Sequence, residues 1–392
     1  MAENNGSILS EELLLRCRER APVYDLENRF CQEDFDELKE AGYLKIAVPK
    51  EMGGHGMSLA EVAMETRRLA YYAPATALAI NMHIYWTGVA ADIRKSGDDS
   101  LNFILEEAAA GEVFAAGHSE SGNTVPVLLS TTKAEKVDGG YKFTGKKGFG
   151  SLSPVWTRLG LHGMDASDPE NPKIIHGFLP RDAEGYTIKE TWDVLGMRAT
   201  RSDDTILDGA LVPDHYIGRI VPAGAAGVDL FVLGIFAWAL IGFANVYYAL
   251  ANRVAELTFE QLKKKTGPGL TRTMAYHPEV QHGVAEMVLA LEGMGPQLDK
   301  VAQDWSEGVD HGPAWVIKIV GTKYNVVEAA WRVVDTAMDV SGGYGMFKKN
   351  EVERLYRDCR AGRFHPASSA LTHELVAKGV LGIDPDEQPR WG

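Results

Sequence analysis

Only three cysteines occur in 392 residues, Cys17, Cys31 and Cys359, far apart and odd in number. That excludes a disulfide scaffold, gives no zinc-site spacing and predicts no metal centre; it fits a reducing cytoplasm. A basic surplus is also missing. Against 40 Lys and Arg stand 54 Asp and Glu, a net charge of −14, so neither nucleic acid nor an anionic membrane is expected as partner. The opening residues MAENNGSILSEELLLR lack a basic segment followed by an apolar one, and no signal peptide is expected. The uncharged run LFVLGIFAWALIGF covers only 230–243, short of the roughly 20 residues of a membrane span, and reads as a buried helix. There is no repeat, no low-complexity tract and no long charge block.

What is present falls into three textures. Residues 1–112 carry helical periodicity, as in LSEELLLRCRERA and LAEVAMETRRLA, with Ser10 and Ser58 as start signals. Residues 113–226 hold six or seven short strands, with a hairpin signal at Asp138-Gly139-Gly140. They suggest an antiparallel barrel or sandwich. Residues 227–392 return to long helices, Asp229–Lys265, His277–Glu307, Pro313–Val340 and Glu351–Val380, the material of a four-helix bundle. The fold class is α+β without βαβ alternation, which excludes a Rossmann sheet and a TIM barrel.

Several strings in that order resemble the acyl-CoA dehydrogenase superfamily of flavoproteins over nearly the whole chain. They are Gly42-Tyr43-Leu44 with Gly53-Gly54-His55-Gly56, then Gly117-His118-Ser119-Glu120-Ser121-Gly122-Asn123. Tyr141 to Ser151, Leu195-Gly196-Met197-Arg198, Gly342-Gly343 with Gly345, and Arg354-Leu355-Tyr356-Arg357-Asp358 follow. The resemblance implies a flavin, FAD or FMN, lined by Ser119, Asn123 and the strand Phe149-Gly150-Ser151. Two residues apart on a strand, Phe149 and Ser151 would share a face. It also implies a dimer or tetramer with the flavin at a subunit interface, where Arg272, Asp339, Gly342 and Gly343 stand at family cofactor positions. Asp339 occupies the place of the family's Gln.

The chain departs from the dehydrogenases at the catalytic base. Their Glu, eight residues beyond the Arg-Asp pair, falls here on Pro366; the alternative position, on the first bundle helix, falls on Val232. Neither is a carboxylate. Histidines stand nearby instead: His365 beside the vacant position, His118 at a strand end, and His83 on a helix. This pattern resembles the superfamily's two-component monooxygenases, which receive reduced flavin from a reductase and react it with O2, using His, Ser or Asn near the ring. The expectation is a flavin-dependent oxidoreductase with His365, His83 and His118 as catalytic candidates. The apolar run would wall the substrate pocket through Phe231, Val232, Phe236 and Trp238. Two other readings stay open: a dehydrogenase whose base has moved to His365 or the distant Glu374, served by an electron-transfer partner, and a catalytically silent subunit.

Overall fold

Helices form where polar caps meet apolar periodicity. The computed structural model describes residues 7–387 and begins with α1 (Glu11–Glu27), α2 (Gln32–Glu40), α3 (Leu59–Tyr72), α4 (Pro74–Lys95) and α5 (Asn102–Ala110). Both expected start signals are used. The Ser10 hydroxyl accepts from the Leu13 N–H, and Ser58 closes a reciprocal capping box with Glu61, which satisfies N–H groups that a helix start leaves free. Residues 1–6, part of the segment in which no leader is expected, lie outside the described residues.

The middle of the chain folds into eight strands: β1 (Phe114–Gly117), β2 (Lys133–Val137), β3 (Gly140–Gly150), β4 (Arg158–Asp165), β5 (Lys173–Pro180), β6 (Tyr186–Lys189), β7 (Asp203–Pro213) and β8 (Ile217–Pro222). They build one sheet in the order β6-β7-β3-β2-β4-β5-β8, with β1 beside β4. The expected hairpin joins β2 to β3, with Gly139 at φ 78°. The sheet is mixed rather than purely antiparallel, because β1 and β2 run parallel to β4. The whole β2–β3 hairpin separates β1 from β4, which leaves room for the long crossover that parallel pairing requires.

The C-terminal helices are α6 (Leu230–Lys264), α7 (Pro278–Ser306), α8 (Ala314–Ser341), α9 (Glu351–Arg360) and α10 (Ser369–Leu381). Asp229 caps α6 by accepting from the Val232 N–H. Among the described residues α6 is the one helix long and apolar enough to cross a membrane, and it lies mostly buried against α3, α4, α7 and α8. Three long helices match the expected bundle. The fourth is broken: residues 361–368 interrupt it, and the Ser368 hydroxyl starts α10 afresh by accepting from Leu371. That break faces the sheet and carries His365. The three thiols are free and buried, and burial pushes Cys17 up to about 12.

Candidate active site

Where α4, α6, the sheet and the α9–α10 break meet, they enclose a cavity of about 340 Å³. On the sheet side, β3 ends at Gly150, and Phe149 already has left-handed backbone, φ 55°. Phe149 and Ser151 both reach the cavity, but through this turn rather than along a strand face. Left-handed backbone is uncommon for a residue with a Cβ. Six non-glycine residues among those described adopt it, and three of them, Val127, Phe149 and Met197, line the cavity. Strain of this kind collects where the surroundings enforce a binding geometry.

The Phe149 ring stands edge-on to Trp192, centroids 5.7 Å apart. Beneath it runs a chain of hydroxyls. Ser151 Oγ lies 2.7 Å from Ser202 Oγ, which lies 2.7 Å from Thr200 Oγ1, which donates to the Met197 carbonyl at 2.9 Å. Ser119 enters the cavity beside them, its carbonyl accepting from the Gly148 N–H at 2.9 Å. Gly150 does not line the cavity. A Cβ there would lie 2.9 Å from the Asp203 carbonyl oxygen, so this glycine permits β3 to approach β7. Asn123 is also outside. Its amide donates to Glu120 (2.8 Å) and the Leu129 carbonyl (2.7 Å), and its Oδ1 accepts from Val125 (2.9 Å), bracing the loop after β1.

His118 lines the cavity with Nδ1 3.5 Å from the Tyr85 hydroxyl and a buried Nε2 that has no partner. Behind it His162 and His176 face each other across β4 and β5, ring centroids 5.8 Å apart. Burial holds all three imidazoles neutral, His176 down to about 3 and the other two well below their ordinary value. Deeper still, Lys147 Nζ donates to Glu120 and to the His162 carbonyl, each at 2.6 Å. Burial lowers Lys147 to about 8. Burial also works to raise Glu120, but Lys147 and the N–H and hydroxyl donors around the carboxylate bring it to about 2.

The helical side is apolar apart from Tyr85 on α4 and three groups from α9 and the break. α6 presents Ile235, Phe236, Ala239, Leu240 and Phe243, one stripe at i, i+4 and i+8 spacing. Of the four expected wall residues only Phe236 belongs to it. Phe231 and Val232 are fully buried in the core, Phe231 against Trp86 and His176. Trp238 packs over Gly88 and donates to Asp92 at 2.6 Å. A run apolar on every side gives no helical phase, which is why composition alone mixed wall with core.

His365 comes from the break. Its ring stacks on Phe243 (4.5 Å, 19°), and its Nε2 lies 2.7 Å from the Tyr247 hydroxyl. Nδ1 makes no hydrogen bond among the described residues. Burial, then the nearby Lys323, lower His365 to about 3. Lys323 Nζ donates to the His365 and Ala367 carbonyls, 2.8 and 3.0 Å, and fixes the break from behind. Pro366 lines the cavity, and no Asp or Glu among the described residues does. Arg357 and Arg360 are the remaining polar groups. The seam beside them is tight: Met197 N–H donates to Asp358 at 2.5 Å, and a Cβ on Gly196 would lie 2.3 Å from the Arg357 carbonyl oxygen.

Other expected residues lie elsewhere. Both ring nitrogens of His83 are engaged, Nε2 donating to Leu44 (2.8 Å) and Nδ1 accepting from Phe114 (3.1 Å). It ties the Leu44 turn to β1 and stands outside the cavity, so the structure gives it no free atom for catalysis. Glu374 is exposed and paired with Lys378 at 2.7 Å. Arg272 lies over Tyr276 in the α6–α7 loop, Asp339 is exposed near the end of α8, and Gly342 (φ 65°) and Gly343 follow α8. Lys265 Nζ donates to the Ser341 carbonyl at 2.9 Å and draws those two loops together, away from the cavity lining. Tyr85, Thr200, Ser202, Arg360 and, behind the lining, Tyr247 and Lys323 went unsignalled in the sequence. Tyr247 alone had a local clue, four residues beyond Phe243 on the same helix face.

Comparison with known proteins agrees with this architecture. The family model "Acyl-CoA dehydrogenase, N-terminal domain" matches residues 13–112, and "Acyl-CoA dehydrogenase, C-terminal domain" matches 227–381. "Putative acyl-CoA dehydrogenase YdbM" of Bacillus subtilis (strain 168) is 28% identical, over 90% of this chain and 91% of its own. "Dibenzothiophene monooxygenase" of Rhodococcus erythropolis (strain XP) is 25% identical, over 93% and 90%. Among solved structures, KijD3 in complex with FMN and dTDP-3-amino-2,3,6-trideoxy-4-keto-3-methyl-D-glucose superposes with a TM-score of 0.84 at 23% identity, covering 96% of this chain and 93% of that one. The chain belongs to the acyl-CoA dehydrogenase superfamily of flavin-dependent enzymes.

Proposed function

We propose that the protein is a two-component monooxygenase, which takes reduced FMN or FAD from a separate reductase and oxygenates an apolar or aromatic substrate. One observation carries this reading. The cavity is lined by imidazole, hydroxyl and guanidinium groups, and Pro366 stands where a dehydrogenase needs a carboxylate. The residues present fit a flavin. Phe149 and Trp192 offer a wall for a flat ring, and Ser119 and Ser151 offer hydroxyls to its polar edge. Arg272, Asp339, Gly342 and Gly343 would serve the cofactor across a subunit interface in a dimer or tetramer. Reduced flavin bound here supplies the electrons that activate O2.

The chain's own groups then have defined tasks. His365 is neutral near pH 7, and burial keeps Tyr247 protonated. When Tyr247 donates to Nε2, the proton of His365 sits on Nδ1; when Nε2–H donates to the phenol oxygen, Nδ1 is a free acceptor. The pair can therefore take up or deliver a proton at Nδ1 without a charged resting state. His118 offers a second neutral nitrogen from the opposite wall. The apolar stripe of α6 excludes water, which would divert the oxidising equivalent.

Stopped-flow mixing of the protein and photoreduced FMN with oxygenated buffer tests the proposal. The expected result is a species absorbing in the near ultraviolet that outlives mixing before oxidised flavin appears. Flavin oxidation as fast as in the absence of protein would sink it. Anaerobic bleaching of bound oxidised flavin by an acyl-CoA would instead establish a dehydrogenase.

A further inference from the structure

The cavity carries an uncompensated positive charge inside an acidic protein. Two arginines line it from the last turn of α9, Arg357 and Arg360, and no carboxylate among the described residues does. Arg357 is neutralised by Asp25 at 2.6 Å and Glu353 at 2.8 Å, and it donates to the Leu195 carbonyl at 2.9 Å. Arg360 makes no ion pair among the described residues. It is held by two aromatic faces instead, its guanidinium carbon 5.3 Å from the Trp331 centroid and 5.0 Å from that of Phe364. Its Nη1 is buried and lacks a hydrogen-bond partner. Ring stacking fixes the plane of a guanidinium while leaving its N–H edge free. A buried, unpaired N–H on a cation is costly, and the fork of N–H groups matches a planar oxyanion in two parallel bonds. The C-terminal end of α9 offsets the charge in part.

We infer that Arg360 is the substrate anchor, and that the cavity takes an organic anion: an apolar or aromatic body bearing a carboxylate or similar planar oxyanion. The headgroup pairs with Arg360 while the body packs against Phe236, Phe243 and the His365 ring. This deepens the monooxygenase reading and rests on it for what is done to the molecule once bound. The net charge of the chain says nothing against it, because long-range steering and a local buried cation act at different ranges.

Equilibrium titration with matched pairs tests the anchor: benzoate with benzamide, phenylacetate with phenylacetamide, indole-3-acetate with indole-3-acetamide, and octanoate with octanamide. Each is measured with and without FMN. At least one acid should bind about tenfold more tightly than its amide. Arg360→Gln should abolish that preference and leave the amide's affinity unchanged, which also shows that the variant is folded; Arg360→Lys should keep part of it. Amides binding as tightly as acids, no acid binding at all, or a preference that survives Arg360→Gln would overturn the proposal. The same guanidinium chemistry could serve a flavin phosphate. Loss of affinity for FMN but not for riboflavin in Arg360→Gln would assign Arg360 to the cofactor and overturn the proposal too. None of these readouts needs turnover, so a failed oxygen reaction leaves this test intact, and a failed anchor leaves the oxygen reaction intact.

Discussion

The two walls of the cavity dispose of their polar groups in opposite ways. On the sheet wall Ser151, Ser202 and Thr200 bond to one another and to backbone, and Glu120 and Lys147 close on each other behind them. On the helical wall His365 keeps Nδ1 free and Arg360 keeps Nη1 free. A wall whose donors already have acceptors is rigid and suits a flat ring held largely by shape. A wall with open groups on an apolar field suits recognition and proton movement, the tasks proposed for Arg360 and His365. His118, with its Nε2 unpartnered, and Ser119, whose hydroxyl makes no hydrogen bond among the described residues, are exceptions on the sheet side.

The sharpest way to break this contrast is His365→Ala. Turnover should fall by about 10²–10⁴-fold, the usual contribution of a general acid or base, with flavin affinity kept. Turnover near wild type would move the chemistry to the sheet wall and to His118.

Acid titration probes the buried histidines, those of the sheet wall among them. A buried imidazole whose folded value lies below the unfolded 6.5 contributes stability that is complete above pH 6.5. That stability is lost as pH falls toward the folded value, because the unfolded chain binds the extra proton. For His83, at about 4, and His176, at about 3, the window runs from 6.5 down to those values. Each costs up to about 1.4 kcal/mol per pH unit within it. Melting temperature by circular dichroism should therefore drop between pH 7 and 5, and His176→Phe should flatten the slope. An unchanged slope in that variant would mean that the cluster is hydrated rather than dry.

A smaller effect is expected from Tyr247→Phe. Loss of the hydroxyl leaves His365 Nε2 unpartnered, and kcat should fall about tenfold, with its pH profile displaced and substrate KM unchanged. A change in KM alone would make Tyr247 a packing residue. The smallest is Ser202→Ala, which interrupts the hydroxyl chain behind Ser151. FMN affinity should weaken about threefold, in line with one neutral hydrogen bond, with turnover at saturating flavin retained. A large loss of turnover would erase the distinction between the walls.

Much of this was legible in the sequence because it depends on local patterning. Ser10, Ser58 and Asp138-Gly139-Gly140 act through neighbours a few residues away, and the long helices repeat one period. Phe149, Ser151, Ser119 and His365 were found because the order of short strings resembles a known family. What escaped depends on phase or on distance. The apolar run at 230–243 shows no preferred face, so Phe231, Val232 and Trp238 could not be told from Phe236. His83 is an ordinary helix histidine until Leu44 and Phe114 close on its two nitrogens. Lys323 meets the break more than forty residues away, and nothing near it in the sequence marks it. The break itself replaced an expected continuous helix, and it carries His365 into the cavity.

The turn at 195–197 bears on how molecules enter. Gly196 lies directly on the Arg357 backbone and Asp358 holds the Met197 amide, so sheet and bundle are stitched together at the rim of the cavity. A hinge at that rim would have to tear this contact. Leu195, 61% exposed, is a rim side chain that lines the cavity and can rotate without breaking that contact. Rotation of exposed side chains takes picoseconds to nanoseconds, whereas domain motion takes microseconds to milliseconds. Filling and emptying of the cavity should thus be governed by encounter and by residence rather than by a slow gate.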